Sequence, residues 1–178
     1  MVMPLGASAP DFNLPDAHGK IHKLSDYKTA TATLVVFACN HCPYVVHIRK
    51  GLADFAKEYL SKNVAIIAIN SNDVSKYPDD SPEKMISFAK ESQWDFPYLF
   101  DETQSVARSY HAACTPDFFL FDAQHKLVYR GQFDDARPGN ASPVTGSDLR
   151  RAADALLAGN PPVENQKPSM GCNIKWKI

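Results

Sequence analysis

The apolar positions change period along the chain, and each change marks an element. Residues 11–27 place Phe12, Leu14, Ile21 and Leu24 around Asp16-Ala17-His18-Gly19, which predicts a small hairpin turning near Gly19. Leu34-Val35-Val36-Phe37 is a continuous β-rich run and predicts a buried strand. Val45, Ile48, Leu52, Phe55, Ala56 and Tyr59 then recur at i, i+3, i+7, i+10, i+11 and i+14, one face of a helix lying on a core. Gly51 sits inside that helix and weakens it locally. Val64–Ile69 predicts a second buried strand, closed by Asn70-Ser71-Asn72-Asp73.

A polar loop, Ser75 to Ser81, leads into a helix with Ser81 as N-cap and Pro82 at the first helical position. Phe96–Phe100 predicts a third strand. Thr103 or Asp101 would cap a short helix through Val106, Ala107 and Tyr110. Asp117–Phe121 and Leu127–Phe133 predict a late hairpin, and Leu149, Ala152, Ala153, Leu156 and Leu157 a last helix stopped by Gly159. The order is hairpin, then β-α-β-α-β-α-β-β-α, an α/β sheet that is parallel early and antiparallel at its end. Beyond it, Ile174, Trp176 and Ile178 alternate with lysines, so the tail is expected to be extended with one face docked. Residues 1–160 read as one domain, with 1–30 its hairpin extension and 161–178 a tail on the same body.

Composition narrows the function. Nineteen basic against twenty acidic residues leave a net charge of −1, which argues against a nucleic-acid-binding face. The apolar runs are too short for a membrane span, and the N-terminus lacks the features of a signal peptide, so a cytoplasmic protein is expected. Gly139 stands alone and no Gly-rich phosphate loop is present, so no cofactor is expected. Asp79 and Asp80 read as a solvated loop face, as do Asp134, Asp135 and Arg137; the His111/Cys114 spacing carries no more than a polar helix end.

The chemistry lies in the four cysteines, at positions 39, 42, 114 and 172. Cys39-Asn40-His41-Cys42 follows a buried strand and opens an amphipathic helix. A helix N-terminus offers free N–H groups and positive partial charge, which stabilise a thiolate. Cys39 is therefore expected to be the exposed, low-pKa nucleophile and Cys42 the thiol that resolves the mixed disulfide. His41 is expected to favour the thiolate and make the disulfide more oxidising. Pro43 suits the first helical turn. A non-enzymatic metal-binding or redox-sensing module is the competing reading. It needs further ligands, and no second paired motif supplies them, so no metal is expected, though soft thiolates would suit Cu(I). Cys114 is either a third redox thiol or a small buried residue. Cys172 is either a relay thiol carried to the pair by the docked tail or an inert one.

Several stretches together resemble the thioredoxin superfamily, in its peroxiredoxin-like branch of redoxin and alkyl hydroperoxide reductase/thiol-specific antioxidant proteins. They are Cys39-Asn40-His41-Cys42-Pro43-Tyr44-Val45, Tyr77 to Glu83, Cys114 to Asp122, Gly131-Gln132-Phe133-Asp134-Asp135 and Gly171 to Trp176. The resemblance implies a thioredoxin-like fold with an N-terminal extension. It also implies a cis Thr115–Pro116 bond, with Thr115 and Pro116 forming a groove whose backbone pairs with substrate. It implies a thiol–disulfide oxidoreductase acting on a disulfide-containing protein or small molecule and recycled by a cellular dithiol reductant, or else a thiol peroxidase using Cys39 or Cys42. Two features depart from the pattern. The peroxidatic Pro-x-x-x-Thr-x-x-Cys is absent: Ala32 and Val36 stand upstream of Cys39, and Val35 and Cys39 upstream of Cys42. Thr33 occupies the position of thioredoxin's buried acid, leaving proton transfer to His41 or water.

Overall fold

The computed structural model describes all 178 residues. Its core is the run the sequence marks as most buried. β3 (Ala32–Phe37) has all six residues buried and lies at the centre of a five-stranded sheet. The strands are β4 (Val64–Asn70), β5 (Tyr98–Phe100), β7 (Asp117–Phe121) and β8 (Leu127–Gly131), in the order β5-β4-β3-β7-β8. β4 is parallel to β3 and to β5, whereas β7 is antiparallel to both β3 and β8. This is the mixed thioredoxin-like sheet, and the N-terminal hairpin of β1 (Asn13–Pro15) and β2 (Ile21–Lys23) is present beside it.

Because strand side chains alternate, β3 feeds two cores. Leu34 and Val36 pack with α1 (Pro43–Leu60), α2 (Pro82–Ser92) and α4 (Ser147–Leu157). Val35 and Phe37 pack on the other face with α3 (Ser105–Ser109), the N-terminal Phe12 and Leu14, and Ile174 of the tail. Each fully buried large side chain here contributes roughly 1.5–3 kcal/mol.

The helix ends follow the expected signals, with one addition. Ser81 caps α2 by accepting from Lys84 N. At α3 the capping comes from Asp101, whose carboxylate accepts from Ala107 N at 2.9 Å and Val106 N at 3.4 Å. Gly51 is explained by packing: a Cβ there would lie 2.5 Å from Val144 Cγ1.

Three expectations need correction. β5 begins at Tyr98, and Phe96 belongs to an aromatic cluster with Trp94. β8 ends at Gly131, because Gln132 N turns to the carbonyl of Lys167 and Phe133 swings under the sheet to stack on Phe118. In the tail the strand is not Ile174–Ile178 but β9 (Cys172–Asn173), paired antiparallel with β6 (Cys114–Thr115). Ile174 is buried and Trp176 lies against Arg108, yet Ile178 is fully exposed.

The tail continues across the sheet's end as a strap. Lys175 N donates to Asn72 Oδ1, Asp73 N donates to the Lys175 carbonyl, and Lys177 N donates to Gln104 Oε1.

The loop before α4 is also unlike the solvated surface its composition suggests. Asp134 is buried and accepts from Ala136 N, Thr145 N and Gly146 N. Its neighbour Arg137 is held by the carbonyls of Asp134 and Ala136. Buried backbone donors in a loop need an acceptor, and Asp134 supplies it.

Candidate active site

β3 ends one residue short of Ala38, whose N–H still bonds to the Ile69 carbonyl, so Cys39 leaves the sheet at its centre. Cys42 is the N-cap of α1 with Pro43 at N1, and no acidic residue sits in that helix's first turn. The positive end of an 18-residue helix is thus left to the sulfur.

The two thiols shift in opposite directions and act on each other. The Cys42 thiol is pulled down to about 4, first by its hydrogen bond with Cys39, then by Cys172, Thr115 and the Val45 N–H, against the opposing effect of burial. The Cys39 thiol is pushed up by that same bond with Cys42, by burial and by the Asp80 carboxylate. The two thiols therefore titrate as a coupled pair that shares its first ionisation at the helix N-terminus. Cys39 is not exposed: Cys39 and Cys42 show 1% and 0% of their surface. The cause is the cover built over the strand end. Cys39 Sγ faces Thr115 Oγ1 at 3.6 Å, and Asn40 above it is fixed by Tyr98 Oη and by the Asp79 carbonyl.

Asp80 is the residue that sequence reasoning missed. It is completely buried, and its carboxylate accepts from Asn40 N at 2.8 Å, His41 N at 3.2 Å, His41 Nδ1 at 2.6 Å and Asn72 Nδ2 at 2.9 Å. Asn70 Nδ2 holds its carbonyl. Its neighbour Asp79, of the same type, is exposed and bonds to Lys84. His41 consequently turns its Nδ1 to Asp80 rather than to a thiolate, with its ring stacked on Tyr77. The one signal available in sequence was the polar run Asn70-Ser71-Asn72 after a buried strand, which supplies Asp80 with two of its partners.

Ligand atoms of Cys39, His41 and Asp80 all lie within 4.8 Å of one another, a gathering the sequence spacing does not reveal. The types would suit a zinc ion. As built, however, the Asp80 oxygens are taken up by four donors, one of them His41 Nδ1, so the three residues form a hydrogen-bonded cluster beside the Cys39 thiol.

Thr115–Pro116 is cis. The Thr115 carbonyl accepts from Cys42 Sγ at 3.3 Å, which puts this loop against the pair. Its backbone edge is not open to substrate: Thr115 pairs with Cys172 and Cys114 with Asn173. Cys172 is a hydrogen-bonding neighbour of Cys42. Cys114 points away, with its Sγ at 3.7 Å from the Pro116 carbonyl and its thiol pushed up to about 12 by burial and Asp117. It lines a cavity of about 330 Å³ with Val2, Met3 and Leu5. Thr33 Oγ1 is buried without a hydrogen-bond partner.

The thiolate on Cys42 gives the reduced protein a pH signature. Cys42 is near 4 when folded and about 8.5 when unfolded. Over that interval the unfolded chain binds more protons, so stability rises with pH and the gain is lost as pH falls through 4. Cys39 is raised, so above about 8.5 the unfolded chain ionises first and stability declines again. Thermal melts under reductant should show the wild type's advantage over Cys42→Ser peaking near about pH 8 and vanishing by pH 4. A pH-independent difference would contradict a thiolate at Cys42.

The AhpC/TSA family profile matches residues 5–130. The curated thiol-disulfide oxidoreductase ResA of Geobacillus kaustophilus is 31% identical over 120 residues, covering 66% of this chain and 63% of that protein. The chain thus matches a little under two thirds of that relative's length. The crystal structure of a hypothetical protein from Sinorhizobium meliloti 1021 is 51% identical, with a TM-score of 0.98 over 100% of this chain and 97% of its own. A putative thiol:disulfide interchange protein DsbE from Chlorobium tepidum shares the fold, with a TM-score of 0.69 at 23% identity, covering 87% of this chain and 99% of its own. No helix is long and apolar enough to cross a membrane.

Proposed function

The chain belongs to the AhpC/TSA family, and from that premise we propose that it is a thiol–disulfide oxidoreductase whose working group is the Cys39/Cys42 dithiol. One observation carries this reading: two free thiols stand at a strand-to-helix junction, and the second caps an 18-residue helix with no acidic residue in its first turn. In the proposed reaction Cys39 gives its proton toward the His41–Asp80 cluster and attacks a substrate disulfide; the substrate S–S bond breaks, one substrate thiolate leaves and a mixed disulfide with Cys39 forms. Cys42, ionised at the helix N-terminus, then attacks Cys39 Sγ, closes the internal disulfide and expels the second substrate thiolate. Thr115 and Pro116 shape the wall beside the sulfurs. A cellular dithiol in the cytoplasm would return the pair to its reduced state. Disulfide-containing proteins, as well as small disulfides, fit this chemistry, and the relative named as a thiol-disulfide oxidoreductase supports it. The alternative of an antioxidant thiol peroxidase would have to work without the Pro-x-x-x-Thr-x-x-Cys sequence.

The test is turnover of a disulfide-bonded protein with a dithiol as electron donor. Wild type should turn over; Cys39→Ser should be inactive; Cys42→Ser should accumulate a mixed disulfide through Cys39. Peroxide consumption that exceeds disulfide reduction, and is lost in either variant, would favour the peroxidase.

A further inference from the structure

The pair just described is almost completely covered in the reduced structure. A third sulfur sits at that boundary. Cys172 is only half-buried, yet it is a hydrogen-bonding neighbour of Cys42 and lies beside the Tyr44 N–H at the start of α1. Cys172 is paired with Thr115, whose carbonyl is 3.3 Å from Cys42 Sγ.

The position of Cys172 is built rather than incidental. Its Cα is in register with Thr115, the residue whose carbonyl contacts Cys42 Sγ. The residue before it must be glycine: a Cβ on Gly171 would lie 1.9 Å from the Thr115 oxygen. On its other side, Ile174 is buried, and the backbone of Lys175 is fixed by Asn72, Asp73 and Gln104. The chain is therefore pinned on both sides of the sulfur. Cys114, by contrast, faces the cavity behind the strand pair.

We propose that Cys172 is a third redox thiol, which exchanges with the Cys39–Cys42 disulfide through Cys42 and links the buried pair to thiols in solution. This rests on the dithiol reading above. Cys172, whose thiol burial pushes up to about 11, gives up its proton as its sulfur attacks Sγ of Cys42; the Cys39–Cys42 bond breaks and a Cys42–Cys172 bond forms. Cys39 departs as a thiolate and takes up the proton that Cys172 gave, consistent with its raised pKa. One disulfide is consumed and one is made, so no outside oxidant enters this step. A thiol from solution then attacks the half-exposed Cys172 sulfur, and Cys42 leaves as the thiolate its surroundings favour. A low-pKa thiol is the better leaving group.

The experiment is disulfide mapping of the full chain by mass spectrometry after oxidation with diamide and blocking of free thiols. Wild type should contain Cys39–Cys42, and Cys39→Ser should contain mainly Cys42–Cys172. A Cys39→Ser protein in which Cys42 is free, or bonded only to another molecule, overturns the relay. Wild type without a Cys39–Cys42 disulfide overturns the dithiol reading itself. A second measurement does not depend on the fold tolerating serine at position 39. In Cys172→Ala, glutathione should reduce the Cys39–Cys42 disulfide at least about tenfold more slowly than in wild type, a barrier difference of about 1.4 kcal/mol. Equal rates also overturn the relay.

Discussion

Replacing Asp80 by alanine should cost the fold roughly 3 kcal/mol or more, measured as a loss in urea unfolding of the reduced protein. The reason is the number of donors that converge on one buried carboxylate. Asn40 N, His41 N, His41 Nδ1 and Asn72 Nδ2 all end there. Hydrogen bonds to a charged group contribute roughly 1.5–3 kcal/mol each, and donors left buried without a partner cost more than the bond was worth. Asp80→Asn keeps the shape and separates structure from chemistry. It should retain more stability, because the amide oxygen can still accept from Asn40 N and His41 N. It should also remove the negative charge that raises the Cys39 thiol. Alkylation of Cys39 in Asp80→Asn should therefore reach its half-maximal rate at a lower pH than in wild type. An unchanged midpoint would show that Asp80 does not act on Cys39.

The second large effect is at Gly171. Alanine there puts a methyl group 1.9 Å from the Thr115 oxygen, 2.7 Å from its carbonyl carbon and 3.2 Å from Pro116 N, all of them backbone atoms. Neither side can give without breaking the β6–β9 pairing, so the strap must lift. Overpacking of this kind costs roughly 1–3 kcal/mol. That cost falls on the docking of the tail, since the five-stranded sheet is paired without it and the tail adds only Ile174 to the buried core. Each 1.4 kcal/mol lost raises the population of the open strap about tenfold. Gly171→Ala should accordingly show faster alkylation of Cys42 and faster amide exchange at Lys175 and Lys177, with the main unfolding transition largely kept. Unaltered alkylation would mean that the strap does not control access to the pair.

These two residues also mark where sequence reasoning stops. The strand-to-helix placement of Cys39 and Cys42, the buried face of α1, the Ser81 cap and the late hairpin are local patterns, each written within one element's length of chain. They were legible because the periodicity and end signals that specify them are short-range. Asp80 was not legible, because nothing in the Asp79-Asp80 dipeptide distinguishes the exposed carboxylate from the buried one. The difference arises when the loop after β4 folds over the ends of β3 and β4, 40 residues in sequence from Asn40. The balance between the two thiols was hidden for a related reason. A helix N-terminus predicts that a thiol will ionise. How the pair shares that ionisation depends on the contact between the two sulfurs and their burial, and then on Asp80 beside one and Cys172 beside the other, both distant in sequence. The docking of the tail was visible in its alternation, but its pairing at Cys172–Asn173 required the position of β6.

His41 illustrates how one such contact alters a mechanism. Sequence reasoning gave it the thiolate as partner; the structure gives it Asp80, so in the proposed reaction it is placed as a proton carrier next to Cys39. The reduced form is favoured by the setting of Cys42 instead, and the expected consequence for the disulfide keeps its sign.

That consequence is the most direct test of the account. The protein is equilibrated across a glutathione redox series and the fraction of Cys39–Cys42 disulfide is read by mass spectrometry. A thiolate stabilised in the reduced state makes the disulfide easier to reduce than a structural one. The pair should therefore titrate reversibly as a two-electron couple, between about −270 mV, the value for thioredoxin, and about −120 mV, that of the strongest dithiol oxidants. A midpoint below about −270 mV, or the absence of a reversible Cys39–Cys42 disulfide, would contradict it.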